Sequence, residues 1–308
     1  MRVFFSDTWE VPLPDGHRFP MAKYRALRER LLTTGVLAPH ELEVAQPIAR
    51  EHLARAHRPA YLDACFSGAM SEEAQRRLGF PWSPALLARS LASAGGTLAA
   101  ARHALAHGFG ANLAGGTHHA AADFGSGYCV FNDLAVTTLT LLAEGAVERV
   151  LIVDLDVHQG DGTAAILASE PRAFTFSMHG EKNFPFRKTR SSRDVGLPDG
   201  CGDGEFLARL DEHLPEVLEA SDPQLVLYQA GVDPLAEDSL GRLSLTHAGL
   251  RARDRRVFEA AWSRAIPLAL TLGGGYAKPI EATLEAHVGT YREARAVYAA
   301  GARRAAGV

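Results

Sequence analysis

Cysteine is nearly missing from this chain of 308 residues, with Cys65, Cys129 and Cys201 as the full set. They stand far apart, odd in number and never as C-x-x-C. That argues against a disulfide framework or a thiolate zinc site, and for a reducing compartment. No apolar run approaches the ~18 residues of a membrane span. Residues 1–7 lack the apolar core of a secretory leader, so a cytoplasmic protein with no membrane partner is expected. A basic excess is missing too. The net charge is −4, and the arginines alternate with acids, as in Arg25, Arg28, Glu29 and Arg30, the pattern of a solvated face. Nucleic acid is therefore not an expected partner. Internal repeats, low-complexity segments and convincing linkers are also lacking, which favours one domain over residues 1–308.

What is there is an ordinary globular composition, 47% hydrophobic and 22% charged. A chain of this size buries roughly three quarters of its unfolded surface. Residues 3–5 read as a first strand and the proline-bearing residues 9–20 as a loop. Helical spacing covers 21–33, 84–107, 133–144, 162–168, 206–218 and 246–263. Gly95-Gly96 interrupts the second of these at a cost near ~1 kcal/mol per residue against alanine, which close packing on a neighbour would compensate. Short apolar runs at 111–116, 149–154, 172–177, 224–230 and 266–272 read as strands. They are continuous rather than two-periodic and alternate with helices. The expected fold is α/β, a parallel sheet covered by helices on both faces.

In such sheets sites form at the carboxyl ends of the strands, and the unusual polar residues sit there. One run leads into His118-His119, one into Asp154-Leu-Asp156-Val-His158, one into Gly231-Val-Asp233, and one into Gly273-Gly-Gly-Tyr276. Asp154, Asp156 and His158, at spacing two in an extended segment, point to one side. Two anions and an imidazole at the end of an apolar strand call for a cation, and zinc accepts both donor types. The competing reading is a hydrogen-bonded cluster that only orders the turn. His118 and His119 can reach one cleft from a loop. The flanking Gly115-Gly116 and Ala120-Ala121-Ala122 leave room beside them, and imidazoles suit general-base work near neutral pH. The glycines before Tyr276 permit close backbone approach and could deliver a phenol to a developing oxyanion. Neither G-x-G-x-x-G nor G-K-[ST] is present, so a phosphate loop is not supported. Taken alone, Gly-Val-Asp233-Pro reads as a turn.

Together and in this order, five blocks resemble the histone deacetylase superfamily: residues 115–120 (GGTHHA), 127–133 (GYCVFND), 154–163 (DLDVHQGDGT), 228–235 (YQAGVDPL) and 273–276 (GGGY). The resemblance runs from about residue 15 to residue 290. Within the superfamily the chain is most similar to the class IV branch and its bacterial relatives, from Gln159 where a second histidine is usual and from the stretch over 233–245.

The resemblance implies a single arginase/deacetylase-like catalytic domain and zinc-dependent hydrolysis of N-acyl amides of lysine side chains, acetyl or longer. It implies Asp156, His158 and Asp233 as zinc ligands. His118 and His119 become the paired active-site histidines, the second the general base, with Asp154 and Asp161 as the carboxylates that orient them. Tyr276 becomes the oxyanion-stabilising tyrosine. Tyr128 and Phe184 become the walls of an acyl-lysine tunnel, with Gly127 and Gly274 beside them. Tyr128 departs from the commoner phenylalanine. A structural potassium ion beside residues 154–158 and Ser177 is also implied. The expected partner is an acyl-lysine protein or peptide, or an acylated small amine.

Three alternatives stand beside this. An acetylpolyamine amidohydrolase would place acids at the tunnel mouth, for which Glu181, Glu237 and Asp238 are candidates. An arginase-type enzyme with two metals needs a D-x-D pair where this chain has Gly231-Val-Asp233. A non-catalytic acyl-lysine binder would be expected to lack a ligand, histidine or tyrosine, and none is lacking.

Overall fold

Eight strands, all parallel, form one sheet in the order β2-β1-β3-β8-β7-β4-β5-β6 in a computed structural model. The structure describes residues 1–305, with side-chain surroundings through residue 298; the last residues of the expected domain, 306–308, lie outside the described residues. The elements are β1 (Arg2–Phe5), α1 (Lys23–Thr33), β2 (Leu42–Val44), α2 (Arg50–Leu53), α3 (Pro59–Ser67), α4 (Glu72–Leu78), α5 (Pro84–His107), β3 (Phe109–Asn112) and α6 (Asp133–Ala143). There follow β4 (Val150–Asp154), α7 (Asp161–Leu167), β5 (Ala173–Gly180), β6 (Arg193–Leu197), α8 (Asp203–Ser221), β7 (Leu225–Gln229), α9 (His247–Ser263), β8 (Leu268–Thr271) and α10 (Ile280–Ala305).

Strand alternation sorts the apolar residues into two cores. In β4, Leu151 and Val153 face one side and Val150 and Ile152 the other; in β7, Val226 and Tyr228 oppose Leu225 and Leu227. Helices α1, α8, α9 and α10 cover the first face with Leu31, Phe206, Phe258 and Tyr291. Helices α2 to α7 cover the second with Leu53, Leu62, Leu78, Leu98, Leu134 and Leu167. Both faces of a strand are thus buried, which is why the strands lack a polar alternation. Each such side chain contributes about 1.5–3 kcal/mol.

The long helix α5 keeps its glycine pair for a reason of space. A Cβ on Gly95 would collide with the Gln46 carbonyl, and one on Gly96 would come within 2.8 Å of the Asn112 amide oxygen. Four features differ from the sequence expectation. The strand expected at 111–116 is Phe109–Asn112, and its glycines belong to the loop beyond. Strands β2 and β6 at the sheet edges, the short helices α2 to α4, and α10 were not anticipated. Edge strands are short and half-solvated, so β6 carries Arg193 and Asp194 and has no apolar run. The three cysteines are buried and free. Among the described residues no helix is long and apolar enough to cross a membrane.

Candidate active site

The four strands whose ends carry the polar residues, β3, β8, β7 and β4, are neighbours in the sheet. Their loops therefore open on one rim. Past β4 the chain bends, yet the alternation persists: Leu155 and Val157 enter the core while Asp154, Asp156 and His158 turn to the rim.

Asp156, His158 and Asp233 converge. Each offers a ligand atom, and these atoms lie within 4.8 Å of one another. The Nδ1 of His158 is 3.0 Å from Asp156 Oδ1 and 3.1 Å from Asp233 Oδ2. The outward lone pairs of the carboxylates are used. Asp156 Oδ2 accepts from the Gly274 amide at 2.8 Å and from Gln229 Nε2 at 3.0 Å, and Asp233 Oδ1 accepts from the Val157 amide at 2.9 Å. What remains points inward at a common place. Burial and the neighbouring Asp156 charge raise the Asp233 carboxyl to about 7. Two buried carboxylates and an imidazole facing one point fit a divalent cation, and the O, O, N donor set is one that zinc accepts. Gly231 keeps the place open, since a Cβ there would run into the Asp156 carboxylate. A second carboxylate at 231, which two bridged metals would need, has no room.

His118 and His119 lie side by side at this point, ring centroids 4.1 Å apart and planes tilted by 51°. Each donates Nδ1–H to an acid, His118 to Asp154 at 2.7 Å and His119 to Asp161 at 2.7 Å, which leaves each Nε2 for other work. Their charges differ. Burial opposes the imidazolium of His118, but Asp154 and Asp156 outweigh it and hold the group at about 9. Burial and the adjacent His118 push His119 down to about 4, so it is neutral and able to accept a proton at pH 7. The start of α6 holds their loop in place. The Asp133 carboxylate accepts from the amides of Gly116 and Thr117 at 2.9 and 2.7 Å, and Asn132 Nδ2 donates to the Ala120 carbonyl at 3.0 Å.

A cavity of about 610 Å³ leads to these groups, lined by Phe19, Gly127, Tyr128, Phe184, Gly274 and Tyr276 among others. Phe184 meets the His119 ring edge-on at 4.9 Å. Tyr128 packs on Phe19 and Phe80 at 5.1 and 5.3 Å, with φ at 65°, a left-handed conformation rare for a bulky residue. Gly127 before it has φ 54°, and a Cβ there would press on His119 Cδ2 at 2.5 Å. Burial and the nearby Asp233 hold the phenol of Tyr276 well above its usual range, so it stays a donor. Every site residue expected from the sequence thus lies at this cavity or one hydrogen bond behind it. The acids named as candidates for a polyamine-type mouth do not form one. Neither Glu181 nor Glu237 lines the cavity, and Asp238 turns instead to the Tyr276 amide at 2.6 Å.

Several roles behind the cavity escaped the sequence reading, that of Gln159 included, which served there only as a class marker. Gln229 bonds both Asp156 and, at 2.7 Å, the Gly231 amide; its signal was one amide in the apolar run of β7. Fully buried Arg253 donates to the carbonyls of Gly231 and Leu155 at 2.6 and 3.1 Å, tying the β7 and β4 ends together. Gln159 clasps the Thr189 backbone through its Nε2 at 2.6 Å and its Oε1 at 2.9 Å, which anchors the loop that bears Phe184. His57 supports the paired-histidine loop from α3's side, with Nδ1 at 3.0 Å from the Ala121 carbonyl. Nothing in the local sequence marks His57 or Arg253.

A histone deacetylase domain model matches residues 17–290. The chain belongs to the histone deacetylase family. That family membership puts it among hydrolases. The chain is similar to an uncharacterized protein of Picosynechococcus, 46% identical over 96% of this chain and 99% of that one. It is also similar to histone deacetylase 2 of Arabidopsis thaliana, 31% identical over 90% of this chain and 74% of that one. Among solved structures it resembles a histone deacetylase homolog complexed with SAHA, with a TM-score of 0.78 at 23% identity, covering 97% of this chain and 88% of that one. That likeness bears on the fold, an arginase/deacetylase-like α/β domain as expected.

Proposed function

We propose that this member of the family hydrolyses N-acyl amides of lysine side chains, using one zinc ion held by Asp156, His158 and Asp233. The observation that carries this is the convergence of those three donors within 4.8 Å in a cavity whose wall holds His118 and His119 side by side, each aligned by a carboxylate. Zinc held by Asp156, His158 and Asp233 would supply Lewis-acid activation of the acyl carbonyl and of a water molecule.

The chain's own residues supply the rest. Neutral His119, aligned by Asp161, takes the proton from the attacking water at Nε2. His118, aligned by Asp154, passes a proton to the departing amine. The Tyr276 hydroxyl donates to the oxyanion. Tyr128 and Phe184 hold the methylene chain of the lysine, with Gly127 and Gly274 leaving space for it, and exclude water. We read residues 1–308 as one catalytic domain of class IV type. We assign a structural potassium ion to the backbone oxygens around residues 154–158 and Ser177, which pairs with Asp154 across β4 and β5.

The test is a rate comparison of acetyl- and long-chain acyl-lysine peptides with acetylated polyamines on zinc-loaded protein. Turnover of acyl-lysine peptides supports the reading. Turnover confined to polyamines, or none at all, overturns it.

A further inference from the structure

The metal ligands and paired histidines account for all but four of the ionisable charges lining the cavity. Those four are Arg76, Arg77, Lys182 and Arg242, and all are cations. They come from separate parts of the chain. Arg76 and Arg77 end α4, Lys182 follows β5, and Arg242 lies in the loop after β7. The two loop cations share one acid, since Arg242 is 3.2 Å and Lys182 3.9 Å from Asp199. The partners of the helix pair, Glu72 and Glu73, lie outside the lining, with side chains 91% and 78% exposed. Ion pairs that open to water are worth little, so these guanidinium groups can turn to a ligand at small cost. The segment carrying Phe184 adds the exposed Arg187 and Arg190 against Glu181, while its Lys188 is spent on the carbonyls of Asn183 and Pro185. Beside it Phe186 stands 87% exposed at the mouth, an apolar contact for a chain crossing the rim.

We propose that the mouth selects an acyl-lysine carried in an acidic peptide, with Asp or Glu flanking the modified residue. This rests on the deacylase reading and names its substrate class. A polyamine or a lysine-rich tail meets like charge at the rim, which disfavours it at encounter and in the bound state. The acyl-lysine enters the cavity, its flanking carboxylates pair with Lys182 and Arg242 on one side and Arg76 and Arg77 on another, and Phe186 covers the chain.

The experiment uses the zinc-loaded protein and three peptides with the same central acyl-lysine, flanked by Glu/Asp, by Ala, or by Lys/Arg. Both kcat/KM and direct binding by fluorescence anisotropy are measured at low and high salt. The acidic peptide should exceed the basic one by on the order of 10-fold in kcat/KM, mainly through KM, and the gap should narrow as salt screens the rim. Lys182→Glu combined with Arg242→Glu should reverse the order. Equal rates for the three peptides, or a preference for the basic one, overturns the proposal while leaving the deacylase reading standing. Acidic-first binding without any turnover supports the rim and overturns the hydrolysis. Absence of both binding and turnover sinks both.

Discussion

Asp238 holds Tyr276 by its backbone. Its Oδ2 accepts the Tyr276 amide at 2.6 Å, while Ser239 Oγ donates to the Tyr276 carbonyl at 2.6 Å. The tyrosine follows three glycines, which by themselves fix nothing, so the loop after β7 supplies the rigidity. Tyr276→Phe should keep zinc and fold yet lose about 10²–10³-fold in turnover, as when one oxyanion donor is removed. Asp238→Ala should lose on the order of 10-fold in kcat with little change in KM, because a small misplacement of a reacting group is costly. In the Tyr276→Phe background the same change should cost almost nothing more. A full additive loss in the double variant would mean that Asp238 acts through something other than Tyr276.

Gly274 tests how closely the backbone must approach the ligands. A Cβ there would strike the Asp233 carboxylate and come within 2.8 Å of Asp156 Oδ2. Gly274→Ala should lower zinc affinity by about 10–100-fold, the usual effect of disturbing the groups behind metal ligands, while the melting transition stays cooperative. Unchanged zinc affinity would mean that the loop has room that the geometry denies.

His57 gives the fold a pH dependence of predictable sign. Its Nδ1–H donates to the Ala121 carbonyl at 3.0 Å and its Nε2 accepts the Asn132 amide at 2.9 Å, so the neutral ring is fully used. Burial lowers its pKa from 6.5 to about 4. Above the unfolded value both states are neutral. As pH falls below it, the unfolded chain takes up a proton that the folded chain refuses, so stability drops until the folded value is reached. Between pH 7.5 and 5 this group alone should remove roughly 2 kcal/mol. Urea unfolding of the wild type and of His57→Asn at both pH values reads the difference in slope. Equal slopes would show that His57 is not the group responsible.

How far the sequence could be read depended on how local each signal was. The spacing of Asp154, Asp156 and His158 survived because alternation continues past the end of β4, with Leu155 and Val157 in the core. Asp233 could be assigned only through resemblance, because its partnership with His158 spans 75 positions. Arg253 was invisible for the same reason. Its helix α9 offers many arginines, and only tertiary packing shows which one is fully buried against the Gly231 carbonyl. Asp238, a candidate for a polyamine-type mouth, could not be placed from the sequence, because only the fold shows its carboxylate taken up by the backbone amides of Leu240, Gly241 and Tyr276. The missed helix α10 carries Leu284, Val288, Tyr291 and Tyr298 at helical spacing, and lies largely past the last recognisable motif.

The central claim is that one zinc ion on Asp156, His158 and Asp233 is required for hydrolysis. Its most direct test is to strip the protein with a chelator and titrate zinc back while following both metal content and acyl-lysine turnover, with Asp156→Ala and Asp233→Ala alongside. The account predicts that activity vanishes on stripping and returns linearly to a plateau at one zinc per chain, and that neither variant retains the metal. Activity that survives chelation, a plateau at two ions per chain, or full zinc retention by either variant would contradict it.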